Sequence, residues 1–379
     1  MKKDIKEEAI AWAFLLPALV VLTAFGLFPI VYAFYVSLHR WHIKKAGFVG
    51  FDQYVRAVGD PDFVYMCLLG AALIWLGVRL RAKLEGDGPA PSLFSRIVPF
   101  VLALPALWLV VRGLNGLLET GDRQLYNGFK VTLFYSLGTI PVQLGASMLL
   151  AYLLFKSLRG KGFFRLLFFL PYVTPVIASA VVFRIIFSPH PSSLANRFWA
   201  FCGLEQQRWL FESKSVAVLL LQACGITDYP AWVNECFPSL ALVSITLYNI
   251  WVYIGYDTVI LLAGLSAIPR HYYEAAEIDG ANAWQVFRNI TLPLVSPTLF
   301  FLSMVAVIGT FKAFNHIYIM RTPGARDSVD VVSIAIFDQI FQYQNAGYAS
   351  TLAFVLFITI LVLTFLQNSV LGKRVFYGE

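Results

Sequence analysis

Charge is scarce in this sequence. Only 13% of the 379 residues are Asp, Glu, Lys or Arg, 59% are hydrophobic, and the mean hydropathy is +0.70. Soluble proteins carry about 25% charged residues, so this chain lacks the polar surface that a water-exposed fold needs. The formal net charge of +7 does not indicate nucleic-acid binding, because Lys and Arg lie in short clusters between apolar runs. We predict a membrane protein without a nucleic-acid partner.

Cysteine and nucleotide-binding motifs are also sparse. Cys67 lies in an apolar run, whereas Cys202, Cys224 and Cys236 share one polar loop without a C-x-x-C pair or a histidine at ligand spacing. This pattern argues against zinc. A disulfide among the loop cysteines and three free thiols both remain open. The chain contains no GxxxxGK[ST] sequence, so it does not bind ATP through a P-loop. We expect no catalytic residue, metal or cofactor.

Long apolar runs dominate what is present. The first run is longer than the apolar region of a signal peptide, about 7–15 residues, so we interpret it as an uncleaved span. Runs of this length cross the roughly 30 Å apolar core of a bilayer as helices. The predicted fold class is therefore all-α, a polytopic membrane protein with about eight transmembrane helices. The predicted spans are 10–37, 63–79, 97–118, 131–155, 164–187, 238–264, 292–312 and 348–372.

Basic residues predict the orientation of these spans. An even number of spans places both termini on one side, and the positive-inside rule favours the cytoplasm. The long loops 188–237 and 313–347 are then external. They contain a short apolar patch, Val216 to Ala223, which is too short to span and is interpreted as a surface or re-entrant helix. They also contain VVSIAIFDQIFQY, interpreted as an amphipathic helix that returns toward the membrane. The predicted cytoplasmic basic clusters include Lys2, Lys3, Lys6, Arg79, Arg81, Lys83, Lys156, Arg159, Lys161 and Arg165.

One predicted cytoplasmic loop, RHYYEAAEIDGANAWQVFRNITLPLVSP (270–297), is unusual for a connector. A helix from about Tyr272 to Ile278 is predicted to end at Gly280, and Asn282 is placed to cap a second helix. Carboxylates at Glu274, Glu277 and Asp279 lie beside small alanines and the apolar side chains of Trp284, Val286, Phe287 and Ile290. An interfacial helix on anionic lipid would be repelled by three carboxylates, so a helix that docks on a partner protein is favoured.

The same loop carries a family resemblance. Glu274, Ala275, Ala276, Gly280, Ile290, Leu292 and Pro293 follow the spacing EAA-x3-G-x9-I-x-LP. The chain therefore resembles the membrane subunits of type I ABC importers. Further stretches (13–38, 48–63, 168–187, 256–281 and 345–357) resemble the maltose-type branch of the carbohydrate uptake permeases. The resemblance implies that the loop forms a coupling helix on an ATPase subunit, with Glu274 and Gly280 as its most telling positions and Asp279 beside them.

The resemblance also implies a function and partners. The chain is expected to be a non-enzymatic permease subunit in a bacterial or archaeal inner membrane. Its expected partners are an ATP-binding cassette ATPase dimer, a second related permease and a solute-binding protein that delivers a sugar. Glycerol phosphate or another small polar solute is the alternative. An ion-coupled secondary transporter is a remote alternative, because Asp257 is the one plausible carboxylate within a span. A membrane enzyme would need clustered acidic or histidine side chains, and only the loop 270–297 has such a cluster.

Residues within the spans give candidates for the solute pathway. A carboxylate inside a span is costly, so Asp257 indicates either a pathway lining or a helix-packing contact. Planar polar and aromatic groups suit sugars, although aromatic residues at span ends are commonly interfacial. The candidate set is Asp257, Tyr253, Asn249, Gln143, Tyr135 and Tyr172, with Tyr256 as a further aromatic neighbour.

The predicted domain organisation has three parts. Residues 1–128 contain N-terminal spans, including a two-helix insertion at about 64–118 that departs from the family pattern. Residues 129–372 form the transporter core with the coupling loop at 270–293, and residues 373–379 form a tail. A second departure, 211–236, lengthens the external loop before the sixth span and bears on how the solute-binding protein docks.

Overall fold

The computed structural model describes residues 2–86, 93–156 and 160–376, which are predominantly helical with one two-stranded sheet. The chain divides into two compact units. One comprises Met1–Tyr126 with Ala335–Val355, and the other comprises Asn127–Ile334 with Leu356–Glu379. The predicted all-α class is confirmed, while the predicted three-part domain division stays a prediction.

The first unit begins with a long apolar helix. The residues Ile10–Ser37 are long and apolar enough to cross a membrane, and none of the most apolar stretch is buried within the protein, as expected for a lipid-facing helix. A five-residue π-helical stretch, Thr23–Leu27, interrupts it. The two parts of this helix are α1 (Lys2–Leu22) and α2 (Phe28–Ser37). The next elements, in order, are β1 (His39–Trp41), β2 (Lys45–Phe48), α3 (Asp52–Val58), α4 (Pro61–Gly86) and α5 (Leu93–Thr120).

Helices α4 and α5 cover residues 64–118, whose assignment as an insertion in the family pattern stays a prediction. Their contact depends on small residues, because a Cβ on Gly70 would lie 2.6 Å from Val110 Cγ2 and one on Gly113 would lie 2.6 Å from Cys67 Sγ. Close approach through glycine is a common way to pair helices in lipid. This pair is thus a tightly packed helical hairpin, and α5 covers the third predicted span.

The remaining helices build the second unit and the end of the chain. The predicted short segments in the external loops are confirmed as helices, Val216–Ala223 and Val332–Phe341. In order, the elements are α6 (Arg123–Phe155), α7 (Lys161–Val173), α8 (Val176–Ile186), α9 (Leu194–Phe201), α10 (Val216–Ala223), α11 (Trp232–Cys236), α12 (Leu240–Ser266), α13 (His271–Ile278), α14 (Ala283–Val286), α15 (Leu292–Leu294), α16 (Ser296–Phe311), α17 (Asn315–Met320), α18 (Arg326–Val329), α19 (Val332–Phe341) and α20 (Ala346–Leu371).

Two predicted spans are bent. Helices α7 and α8 meet at 94°, and the segment Ala283–Leu294 meets α16 at 63°. Thr174 is extended because it precedes Pro175, and a residue before proline is pushed out of the helical region. The second break lies next to Pro297, whose ring cannot continue the helix of the preceding turn. Among the described residues, five helices can span a membrane unbroken, or up to seven spans if each bent pair counts as one.

The break between α7 and α8 coincides with very close packing of α7 on α12. A Cβ on Gly255 would overlap the carbonyl group of Phe168. No side chain larger than hydrogen fits at that position without moving a backbone. Gly255 therefore sets how closely the aromatic side chains of α7 approach α12.

We expect Gly255→Ala to lower the free energy of unfolding by about 1–3 kcal/mol, because overpacking forces the helices apart. The measurement is the thermal midpoint of the detergent-solubilised protein, followed by loss of the monodisperse chromatographic peak. Gly145→Ala is the matched control, since a Cβ there meets nothing within 4 Å. Equal midpoints for the two variants would contradict this packing.

Candidate functional site

The acidic loop folds as its sequence predicts. Helix α13 ends at Ile278, and Gly280 has φ +69. The amide of Gly280 donates to Glu277 O (3.1 Å), and that of Ala281 donates to Ala276 O (2.9 Å). This pair of hydrogen bonds is a Schellman motif, which needs a residue with positive φ at the position of Gly280.

A second cap restarts the helix three residues later. The amide of Gln285 donates to Asn282 Oδ1 (2.9 Å), and the amide of Asn282 donates to Gln285 Oε1 (2.8 Å). This reciprocal capping box satisfies two amides at the start of α14. The turn between the helices is consequently defined by local hydrogen bonds, so the loop has its shape without a partner.

The outward face of the loop is acidic around apolar side chains. Glu274, Glu277 and Asp279 are exposed. Ile278 is 86% exposed and Trp284 is 66% exposed. Large apolar side chains that are this exposed beside polar residues indicate an interaction surface. The predicted positions Ala275 and Gly280 are also exposed, whereas Ala276 is buried and Ile290 and Pro293 are half-buried.

The inner face of the loop is anchored to the end of α6. The Tyr273 ring lies 6.0 Å from that of Phe155, and Phe287 lies 5.1 Å from Tyr152. The Tyr273 hydroxyl is 3.4 Å from Thr291 Oγ1. Burial raises the pKa of Tyr273 and outweighs the opposite effect of that hydrogen bond. These anchors were not predicted; the aromatic character of Tyr273 and Phe287 was the available signal.

A cavity of about 360 Å³ lies in the same unit. It is bordered by α6, the α7–α8 bend, α12, α16 and α17. Five of the six predicted pathway residues line it together, and Tyr256 joins them. The predicted residues at the cavity are Gln143, Tyr172, Asn249, Tyr253 and Asp257.

The polar wall of the cavity centres on Asp257, which is only 3% exposed. Gln143 Nε2 donates to Asp257 Oδ2 at 2.6 Å, and Asn249 Nδ2 donates to Gln143 Oε1 at 3.4 Å. A buried carboxylate is costly unless hydrogen-bonded, and the amide of Gln143 offsets part of that cost. The side chain thus serves both readings of the sequence, because it packs α12 against α6 and also borders the cavity.

The aromatic wall lies across α7 and α12. Tyr172 stacks on Tyr256 with 4.5 Å between ring centroids, and it meets Tyr253 edge-on at 5.7 Å. Aromatic faces beside planar polar groups can hold a polyhydroxylated ring by stacking and hydrogen bonding. Cavity residues that were not predicted include Lys312, at the end of a predicted span, and His316, in a segment interpreted as an external loop.

Tyr135 does not line the cavity. It is fully buried, and its hydroxyl lies 2.7 Å from Nε2 of His316, whose side chain does border the cavity. Burial lowers the pKa of His316 to about 4, so the ring is neutral at physiological pH. Tyr135 therefore supports the cavity from behind through His316.

Metal and thiol chemistry have little basis here. Across residues 2–86, 93–156 and 160–376, no group of three His, Cys, Asp or Glu side chains is arranged to hold a metal ion. The four cysteines are free thiols, and those at 202, 224 and 236 are exposed.

The fold and these two features define a polytopic membrane transport subunit. The sequence profile described as "Binding-protein-dependent transport system inner membrane component" matches residues 143–377. This range covers more than half of the chain, including the cavity and the loop. The chain belongs to that family.

Individual relatives agree with this assignment. The chain is 31% identical over 277 residues to the probable ABC transporter permease protein YesP of Bacillus subtilis, covering 72% of this chain and 80% of the relative. It is 28% identical over 281 residues to the arabinooligosaccharides transport system permease protein AraP of Halalkalibacterium halodurans, covering 74% and 79%. A crystal structure of a bacterial ABC transporter for the acidic polysaccharide alginate shares the fold, with TM-score 0.65, 19% identity and 98% of each chain covered.

We expect Tyr135→Phe to lower the free energy of unfolding by about 1–3 kcal/mol, because it leaves the buried His316 nitrogen without its partner. Thermal midpoints of the purified protein provide the measurement. Tyr343→Phe is the control, since Tyr343 is 59% exposed. A Tyr135→Phe protein as stable as the control would remove the supporting role of this hydrogen bond.

Proposed function

We propose that this chain is the solute-conducting permease subunit of an ATP-driven importer, that its acidic loop docks on a separate ATPase, and that its cavity passes a sugar. The observation that carries the proposal is the locally capped loop in which Ile278 and Trp284 are exposed together with three carboxylates. The sequence contains no P-loop, so nucleotide hydrolysis is assigned to a partner.

The chemistry of the loop favours a basic, grooved partner. Carboxylates pair with Arg in bidentate geometry, while Ile278 and Trp284 need an apolar cleft to leave water. A loop with local caps loses little conformational entropy on docking. Glu274, Ala275 and Gly280 follow the spacing of the coupling motif, so they are the positions assigned to the ATPase contact, with Asp279 beside them.

The anchoring of the loop supports force transmission. A push on α13 reaches the end of α6 through Tyr273 and Phe287, and α6 carries Gln143 of the cavity. ATP-driven closure of the ATPase pair would then move the loop, rock α6 and change access to the cavity. We assign a second, related permease as the other half of the pathway, so that the two subunits form a heterodimer.

The external loops are assigned to the solute-binding protein. A second cavity, about 390 Å³, is lined by the start of α6, by Pro323–Ser328 and by the extended loop, including Asn234 and Glu235. Its position at the opposite ends of α6 and α12 from the acidic loop fits delivery of solute to the outer face. Both chain termini are then cytoplasmic.

A sugar is the favoured solute. The stacked tyrosines and the amides of Gln143 and Asn249 match a neutral, hydroxylated ring. The relative AraP is named as an arabinooligosaccharides transport permease, which also favours a sugar. Glycerol phosphate or another small polar solute is the second candidate. A solute ester of phosphate has to pass the buried carboxylate of Asp257, which disfavours it.

We expect Glu274→Lys to abolish ATP-dependent uptake and to prevent co-purification of the ATPase, because it places a cation where an acidic side chain meets its partner. Insertion into the membrane should stay normal. The matched control is Glu119→Lys, the same charge reversal on an exposed residue that belongs to neither the loop nor either cavity. Undiminished uptake and ATPase association with Glu274→Lys would reject the docking assignment.

Orientation is tested by thiol labelling in intact cells with a membrane-impermeant maleimide. In a variant whose four cysteines are replaced by serine, Glu277→Cys should react only after the membrane is permeabilised. The native Cys224, restored alone, should react from outside. Reaction of the Glu277→Cys thiol in intact cells would place the loop on the wrong side for an ATPase.

A further inference from the structure

The cavity contains one carboxylate, and its charge is not balanced nearby. Among the described residues, no cationic nitrogen lies within 4.0 Å of the Asp257 carboxylate. Its recorded partner is the neutral amide of Gln143 at 2.6 Å, which engages Oδ2. The other titratable groups at the cavity are Tyr172, Tyr248, Tyr253, Tyr256, Lys312 and His316.

None of those other groups forms an ion pair with Asp257. The tyrosines are neutral near pH 7, and His316 is neutral because burial lowers its pKa to about 4. Lys312 is exposed at the end of α16, whereas Asp257 is 3% exposed. Buried charges are screened much less than exposed ones. Their Coulomb interactions are about four times stronger at an effective dielectric constant of about 20 than in bulk water.

We propose that Asp257 makes the cavity selective for uncharged saccharides and that it turns away anionic solutes such as sugar acids and sugar phosphates. The inference deepens the proposed function and rests on the assignment of this cavity as the solute pathway. A hydroxyl can donate to the carboxylate oxygen that Gln143 leaves available, while the tyrosine stack supplies an apolar face. A carboxylate or phosphate on the solute has no proton to donate and is repelled.

The likeness to an alginate importer does not argue against this selectivity. Alginate is an acidic polysaccharide, but the two chains are 19% identical. At that identity the likeness establishes the fold, while the charge within a pathway is set by individual side chains.

The test measures the potential of the cavity directly. In the variant whose four cysteines are replaced by serine, Ala306→Cys places a thiol on the α16 side of the cavity. The importer is reconstituted with its ATPase, second permease and solute-binding protein in nanodiscs. It is labelled with neutral methyl methanethiosulfonate and, separately, with its anionic sulfonatoethyl analogue. The readout is the ratio of the neutral to the anionic labelling rate.

We expect Asp257→Asn to lower this ratio by about tenfold, because the anionic reagent no longer meets the buried charge. Asparagine keeps an oxygen that can accept from Gln143, so the helix contact is retained. The matched control is Asp62→Asn, which removes an exposed carboxylate that borders neither cavity, and the ratio should not change. An unchanged ratio with Asp257→Asn, or an Ala306→Cys thiol that neither reagent reaches, would overturn the proposal.

The outcome is separable from the proposed function. If the importer with the native Asp257 takes up sugar but Asp257→Asn leaves the labelling ratio unchanged, charge selection is rejected and the importer function stands. If Asp257→Asn lowers the labelling ratio tenfold but the importer takes up no sugar, the effect of the Asp257 charge on the cavity stands and the sugar pathway is rejected.

Discussion

Hydrogen bonding along α6 is the constraint on which the second unit depends. Polar side chains within an apolar slab must find partners in the protein, because lipid offers none. From α6, Gln143 donates to Asp257 of α12, and Ser147 donates to Ile254 O of α12 at 3.0 Å. Ser136 of α6 accepts from Thr310 of α16 at 3.0 Å. Each bond ties α6 to α12 or α16. Packing in lipid has no hydrophobic driving force between helices, so these bonds determine which faces meet.

The same helix joins the loop to the cavity. Phe155 and Tyr152 contact the loop at one end of α6, and Gln143 lies at the cavity three turns away. At 1.5 Å per residue, the twelve residues between Phe155 and Gln143 span about 18 Å. A continuous helix transmits a displacement over that length, whereas the bent pair α7–α8 would absorb it at Thr174. The continuous path from the loop to the cavity is therefore through α6.

Local chemistry explains what the sequence predicted well. Gly280 and Asn282 define the loop because a positive φ and a side-chain cap are decided within a few residues. The short helix Val216–Ala223 was predicted at its observed bounds from its run of apolar residues, and the structure adds that Ser215 caps it by accepting from the Val218 amide. The bends were not predicted, although Pro175 was visible. A proline permits a membrane helix to remain straight or to bend, and neighbouring helices such as α12 decide which occurs.

Long-range contacts explain what was missed and limit what the fold implies. Gln143 and Asp257 are 114 residues apart, and no local pattern pairs them; composition could only nominate both. His316 was overlooked because its segment was interpreted as an external loop, and its contact with Tyr135 joins residues 181 positions apart. The proposed coupling to an ATPase rests on a loop whose shape is fixed by local caps, whereas the proposed choice of solute rests on a few buried polar groups that distant parts of the sequence bring together, so a fold alone does not define the solute.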